Sequence, residues 1–295
     1  MPLDVAFLGL TPSGPPGRFR FEVVEHLTRL DGKLYGGTAI AASVAAAVQT
    51  TDRSPLWMTT QFVSTVELGA TVDLHAEVLA GGRRTNQVRV TGTSAAGEVI
   101  FASLGATGIH RPDGLTGAFE RMPTVDPPED AERWDSPITG LIRAAGFGDI
   151  PIPEATRGFG TALEMREPQV HEHPDPGPGR ICLWVRRRDG EASSPGILAY
   201  VADVVPMGVA HAMGVVAGGT SLDNTIRFGP AAASEWLLLD VRPHLAIGGY
   251  GHGIAHVWSG DGELLATASQ TASMLQFDVS ALAAMARSAG DDATA

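Results

Sequence analysis

Residues 35–49, YGGTAIAASVAAAVQ, decide the fold. From Gly37 to Gln49, Ala39, Ile40, Ala41, Ala42, Val44, Ala45, Ala46, Ala47 and Val48 leave no polar side on a helix of 3.6 residues per turn. Such a helix is surrounded by other elements rather than laid half in water. The residues after it supply the surroundings. Val72, Leu74, Ala76 and Val78 alternate with Asp73, His75 and Glu77, the period of a strand with one face on a core. A turn at Gly81-Gly82 leads to Val88 and Val90 alternating with Gln87, Arg89 and Thr91. After a turn over Ser94–Gly97, Glu98–Thr107 is apolar enough for a covered strand. One antiparallel meander around one buried helix is expected.

The unit recurs. Tyr35 opens the helix and Gly97 makes the turn before the last strand, and Tyr200 and Gly262 stand in the same roles later. Both separations are 62 residues, 97 − 35 and 262 − 200. Between them the spacing predicts a helix over Val204–Val216 and strands over Ser221–Phe228, Glu235–Val241, Gly251–Ser259 and Glu263–Met274. Few residues are identical, so it is the equal spacing that points to duplication. The chain divides into a first unit at 1–111, a linker at 112–160 rich in Pro and acidic residues, and a second unit at 161–295. A short helix is expected over Trp134–Ala145. The HEHPDPGPG run at 171–179 reads as a hairpin loop, and the residues after Ser280 as a short helix with a frayed acidic end.

Composition bounds the partners. The 295 residues carry 21 Lys and Arg against 33 Asp and Glu, a net charge of −12, which argues against a diffuse nucleic-acid or anionic-membrane surface. No run of eighteen apolar residues occurs, so no membrane-spanning helix is expected. With a single cysteine, Cys182, no internal disulfide forms. The start MPLDVAFLGL has neither a basic stretch nor a cleavable apolar core, which makes the cytoplasm the expected compartment. Thirty-six Gly and 20 Pro between short apolar segments favour sheet over helix.

A long apolar helix embraced by an antiparallel sheet is the hotdog architecture, and two in tandem make a double hotdog. The expected fold class is therefore α+β, with two antiparallel sheets each wrapped around an apolar helix. Tyr35-Gly36-Gly37, the run Leu198–Asp203, Ser221-Leu222-Asp223-Asn224, Glu235-Trp236-Leu237-Leu238 and Asp261–Leu264 running to Ser269-Gln270 resemble, in that order, the bacterial acyl-CoA thioesterase II family. The resemblance implies hydrolysis of an acyl-CoA substrate by water, with no metal or other cofactor. It implies that Asp203, Ser221 and Gln270 hold the attacking water, with a helix N-terminus near the developing oxyanion. Thioester hydrolysis suits this set: a carboxylate takes the proton of water and neutral donors fix direction. Read locally, Asp203 is also an N-cap before Val204-Val205-Pro206, and Ser221 a turn residue. An offset of 165 pairs Asp203, Ser221 and Gln270 with Thr38, Leu56 and Gly105, so the first copy lacks the polar set. One site per chain follows. Three positions depart from the family pattern: Ser221 stands where Thr is common and Asn224 where His is usual. The third, Phe228-Gly229-Pro230, lacks a His and an Arg.

Other constellations carry less. Arg83-Arg84 and Arg186–Arg188 are the densest basic spots, readable as CoA-phosphate contacts or as solvated strand ends. His171 and His173 flank Glu172 in a loop without a third ligand nearby in sequence, and His252 and His256 lie on a strand, so no metal is expected. Gly248–Gly253 reads as a sheet bend and Cys182 as a buried strand residue, with no Cys-His-Asp nucleophile set suggested. Two alternatives remain: an acyl or acyl-CoA binding protein without turnover, and an enoyl-CoA hydratase. The hydratases carry His five positions after Asp, where this chain has Gly208. Sheet edges are commonly covered by pairing, which makes a homo-oligomer the expected state.

Overall fold

The structure, a computed structural model, describes residues 3–111, 113–134 and 158–277. A short helix α1 (Leu3–Leu8) and strands β1 (Thr11–Pro12) and β2 (Arg18–Glu22) precede α2 (Gly36–Thr51). The meander is β3 (Ser54–Phe62), β4 (Thr71–Gly81), β5 (Thr85–Ser94) and β6 (Val99–Gly108). Two-residue strands β7 (Thr124–Val125) and β8 (Glu132–Arg133) follow. The second copy then begins with β9 (Leu163–Glu167), β10 (Val170–Glu172) and β11 (Ile181–Arg187). It continues with α3 (Pro195–Val201), α4 (Val205–Met213) and β12 (Ala217–Phe228). Strands β13 (Leu237–Ile247), β14 (Tyr250–Ser259) and β15 (Leu264–Gln276) end it.

The repeat is present at the offset of 165. Shifting β5 by that amount gives 250–259, the bounds of β14, and β4 falls one residue from β13. Gly97 and Gly262 both have φ of 86°, a left-handed turn closed without Cβ strain. Helix α2 lies on β3–β6 and α4 on β12–β15. As its composition requires, α2 is buried on every side from Gly37 to Ala47.

The two copies do not carry separate sheets, and this corrects the expectation. Among the described residues thirteen strands form one sheet, in the order β1-β2-β4-β5-β6-β3-β12-β15-β14-β13-β11-β9-β8, and β7 pairs with β10 apart from it. The halves join where β3 runs antiparallel to β12, with Thr60 opposite Asn224 and Thr59 opposite Thr225. The hydroxyls of Thr59 and Thr225 lie 2.9 Å apart. Each meander ends in a strand with one row of unpaired N–H and C=O groups, and this pairing satisfies both rows.

The second helix is also not continuous. It breaks between Val201 and Val205, where Val204 leaves helical geometry at φ −126°, ψ 2°, and Pro206 in the first turn of α4 has no N–H to give. Taken across the break, Pro195–Met213 is long and apolar enough to cross a membrane, but 67% of that window is buried inside this fold. Asp203 occupies the break.

The start of α3 is capped from far away. Ser194 makes no cap bond of its own; instead its hydroxyl donates to Oδ1 of Asp4 on α1, and the Gly196 N–H donates to Oδ2 at 3.1 Å. Burial pushes the Asp4 carboxyl up, against the pull of these donors. Asp4→Ala should lower the unfolding free energy by about 1–2 kcal/mol, read as an earlier urea midpoint; an unchanged midpoint would mean that α1 contributes no cap.

The 112–160 segment, expected as a linker, is partly built into the fold. β8 extends the sheet beside β9, and the Asp126 carbonyl accepts from the Trp184 indole at 2.8 Å. Ala131, Cys182, Trp184, Leu238 and Trp258 form a second small core, against which Met122 and Val125 pack. Of the helix expected at Trp134–Ala145 only Trp134 is described, without regular structure, and the tail after Ser280 lies outside the described residues.

Candidate active site

Asp203, Ser221 and Gln270 come together at the helix break. Asp203 is 7% exposed and its Oδ1 collects three donors: Gln270 Nε2 at 2.5 Å, Ser221 Oγ at 3.3 Å and Asn224 Nδ2 at 3.3 Å. Gln270 Nε2 also donates to Ser221 Oγ at 2.7 Å. The Val205 N–H, in the first turn of α4, donates to Gln270 Oε1 at 3.1 Å. That bond fixes which way round the amide sits, with its NH₂ on the carboxylate.

Strand periodicity alone would separate Ser221 from Asn224, three residues on, onto opposite faces. The register of β12 against β15 shifts between Ser221 and Asp223, a bulge at Leu222 that turns both side chains to Asp203. Gln270 stands directly opposite Asn224. In the sequence Asn224 stands out only as a departure from a pattern. Its signal, a small amide two residues before the buried Ile226, is too common to single it out.

The other carboxylate oxygen faces the first copy. A Cβ on Gly36 would overlap Oδ2 of Asp203, and one on Gly37 would overlap the Tyr200 carbonyl, so only glycines let α2 begin this close to the break. Tyr35 Oη donates to the Asp203 carbonyl at 3.1 Å, and the backbone N–H of Gly37 is near enough to pull the carboxyl down. The N-terminus of α2 therefore borders the carboxylate in addition to the start of α4. Burial dominates the electrostatics: it pushes Asp203 up to about 7, although the Asn224, Ser221 and Gly37 donors and the charge of Arg29 pull the other way.

A cavity of about 580 Å³ opens beside these groups. Asp203, Gly36 and Ser221 line it at one place, while Phe62, Phe101 and Met207 line its apolar walls, and Arg29 also borders it. This volume and lining suit a small-molecule site with few polar anchors. Thr38, the first-copy counterpart of Asp203, points elsewhere, its hydroxyl donating to the Leu27 carbonyl at 3.0 Å.

The remaining candidates lie apart from the cavity lining. Arg186 pairs with Glu164 and Glu235 and stacks on Trp236, and Arg187 pairs with Asp189. Arg83 and Arg84 sit in the β4–β5 turn. A Cys-His-Asp group that the sequence does not reveal assembles in the fold: ligand atoms of His173, Cys182 and Asp240 lie within 4.8 Å of one another. Cys182 and Asp240 are register partners on β11 and β13, which no local pattern reveals. Burial and the Asp240 charge raise the Cys182 thiol to about 12, unsuited to a nucleophile. His173 Nδ1 accepts the Asp175 N–H at 3.0 Å, which puts the proton on Nε2, and Nε2 donates to Asp240 at 2.8 Å. Arg242 holds the second Asp240 oxygen at 2.8 Å. Both ring nitrogens of His173 are thus engaged within the protein.

A family model described as "Acyl-CoA thioesterase C-terminal domain" matches residues 119–274, and one described as "Acyl-CoA thioesterase N-terminal domain" matches residues 25–107. Among similar solved structures, a candidate thioesterase of Novosphingobium aromaticivorans is 29% identical, covering 89% of this chain and 97% of its own, with a TM-score of 0.75. A hot dog fold protein of Alicyclobacillus acidocaldarius is 22% identical over 94% of this chain and 99% of its own, TM-score 0.74. The tesB protein of Mycobacterium avium subspecies paratuberculosis is 20% identical over 93% and 98%, TM-score 0.70. These last two likenesses concern the fold, which is sheet-rich α+β of the hotdog kind. No curated protein matches the chain.

Proposed function

The chain belongs to the acyl-CoA thioesterase family, and from that premise we propose that it hydrolyses an acyl-CoA to the free carboxylic acid and CoA by direct attack of water. The observation that carries the mechanism is the asymmetry of Asp203. Its Oδ1 is filled by three donors, which leaves Oδ2, beside Gly36 and the cavity, to accept a proton. Oδ2 takes one proton from water as the oxygen adds to the thioester carbon. The tetrahedral intermediate then expels the CoA thiolate, which recovers that proton from Asp203. Gln270 holds the carboxylate and the Ser221 hydroxyl in place, and Ser221, on the cavity wall, orients water and carbonyl. The partial positive charge at the N-terminus of α2 favours negative charge at this end of the cavity; one well-aimed donor there is worth about 3 kcal/mol to the oxyanion.

The two helix-on-meander copies are read as tandem hotdog domains, 1–111 and 161–295, joined by 112–160, and acting as a homo-oligomer in the cytoplasm. The test is free-thiol release from acyl-CoAs of short to long chain. Turnover of at least one is expected, and a wild type that cleaves none overturns the reading. Since the base must be ionised and burial holds Asp203 near 7, kcat/KM should rise about tenfold per pH unit below that value and level off above it. A profile flat from pH 5 to 9 would mean another group takes the proton.

A further inference from the structure

We infer that Asn224 is a positioning residue of this site, whose amide holds Oδ1 of Asp203 in place as a charged carboxylate while its own carbonyl oxygen goes without a partner. The kinetic part of this inference rests on the proposed thioester hydrolysis; the structural part does not.

Asn224 is fully buried, and Nδ2 donates to Asp203 Oδ1 at 3.3 Å. Its Oδ1, equally buried, has no hydrogen-bond partner among the described residues. The neighbour across the seam, Thr60, is already engaged, because its hydroxyl lies 2.8 Å from that of Ser103, which lies 2.8 Å from that of Ser43. The neighbour on the other side, Gln270, is committed to Asp203, Ser221 and Val205. The surroundings therefore satisfy one half of the amide and orphan the other, an arrangement that packing and stability alone do not favour. Turning the amide over would set its carbonyl against a carboxylate oxygen, acceptor to acceptor. That is tolerable only if Asp203 carries a proton to donate. The observed orientation thus belongs to the charged carboxylate and opposes its protonation.

Other groups facing the carboxylate do not supply this function. Arg29, before α2, is paired with Asp31, which also lines the cavity. Tyr35 and Tyr200 are buried phenols whose protons are held more tightly than usual, Tyr35 donating to the Asp203 backbone and Tyr200 to the His26 carbonyl. On β12, Asp223 is turned to the Thr271 N–H at 3.1 Å. The neighbouring residues of α4, Pro206 and Met207, are neutral, as is Gln270 on β15.

The test uses the full chain with Asn224→Leu, of similar size and apolar, and Asn224→Ala as a second variant. The acid limb of kcat/KM should move up by about one pH unit in both, with activity returning toward wild type at high pH. The melting temperature of Asn224→Leu should not fall, since the orphaned carbonyl is gone. Independently of turnover, the protonated-carboxyl infrared band, assigned by its loss in Asp203→Asn, should titrate about one pH unit higher in both variants. An infrared titration at the wild-type position in both variants overturns the inference, as does loss of activity that is uniform in pH. If the wild type hydrolyses no thioester but the band still moves, the proposed function fails and the role of Asn224 stands.

Discussion

Asp203→Asn lowers kcat for thioester hydrolysis by about 10² or more, since a positioned general base is worth that much, and it does so without unfolding the protein. The amide has nearly the same shape but no basic oxygen to take the proton of water. The stability side follows from linkage. Burial raises the folded-state carboxyl from 3.8 to about 7, so between those values the folded chain binds more protons than the unfolded one. The contribution of Asp203 to stability is then full below pH 4 and is lost as pH rises to about 7. Above that, the fold holds an ionised, poorly solvated group. Asp203→Asn removes this burden, and at pH 8 its melting temperature should equal or exceed that of wild type. Thiol release and thermal melts on the same samples check both halves; an unchanged kcat rejects Asp203 as the base.

Gly36→Ala should cost about as much although it adds only a methyl group. The new Cβ would overlap Oδ2 of Asp203 and touch the Phe62 ring at 3.1 Å. The carboxylate, held by three donors on its other oxygen, must shift or lose the space where water would bind. A displacement of about 1 Å at reacting atoms is worth roughly 10² in rate. Alanine is the better helix former, so the loss would not come from a weaker α2. Wild-type kcat/KM in Gly36→Ala would mean that the first copy does not border the reacting atoms.

These two residues also mark how far the sequence can be read. Helix α2, the alternating strands and the offset of 165 are local or periodic features, and each is visible from composition and spacing. Asp203, Ser221 and Gln270 became visible through a family resemblance, because nothing local distinguishes a base from an N-cap. Gly36 is among the residues that carry the resemblance, but no role comes with it, since what it does is leave open the space beside a residue 167 positions later. Asn224 is visible only as a departure from the pattern, because the bulge at Leu222 that turns it toward Ser221 breaks the alternation a reader would rely on. The Cys182–Asp240 contact and the β3–β12 pairing are strand adjacencies. Alternation tells which face a residue takes but not which strand lies alongside.

The β3–β12 seam has a symmetry of its own. Thr60 faces Asn224 and Thr59 faces Thr225, while the repeat maps 59 onto 224 and 60 onto 225. The pairing is thus unchanged when the copies are exchanged, and a two-fold axis runs through the middle of the seam. That is the self-complementary contact by which two identical chains associate. Carried on one chain, such a contact is permanent and independent of protein concentration. One chain also frees each half from having to match the other: one half places a buried carboxylate at its helix break while the other brings a glycine-tipped helix to the same place, an asymmetry closed to a symmetric pair.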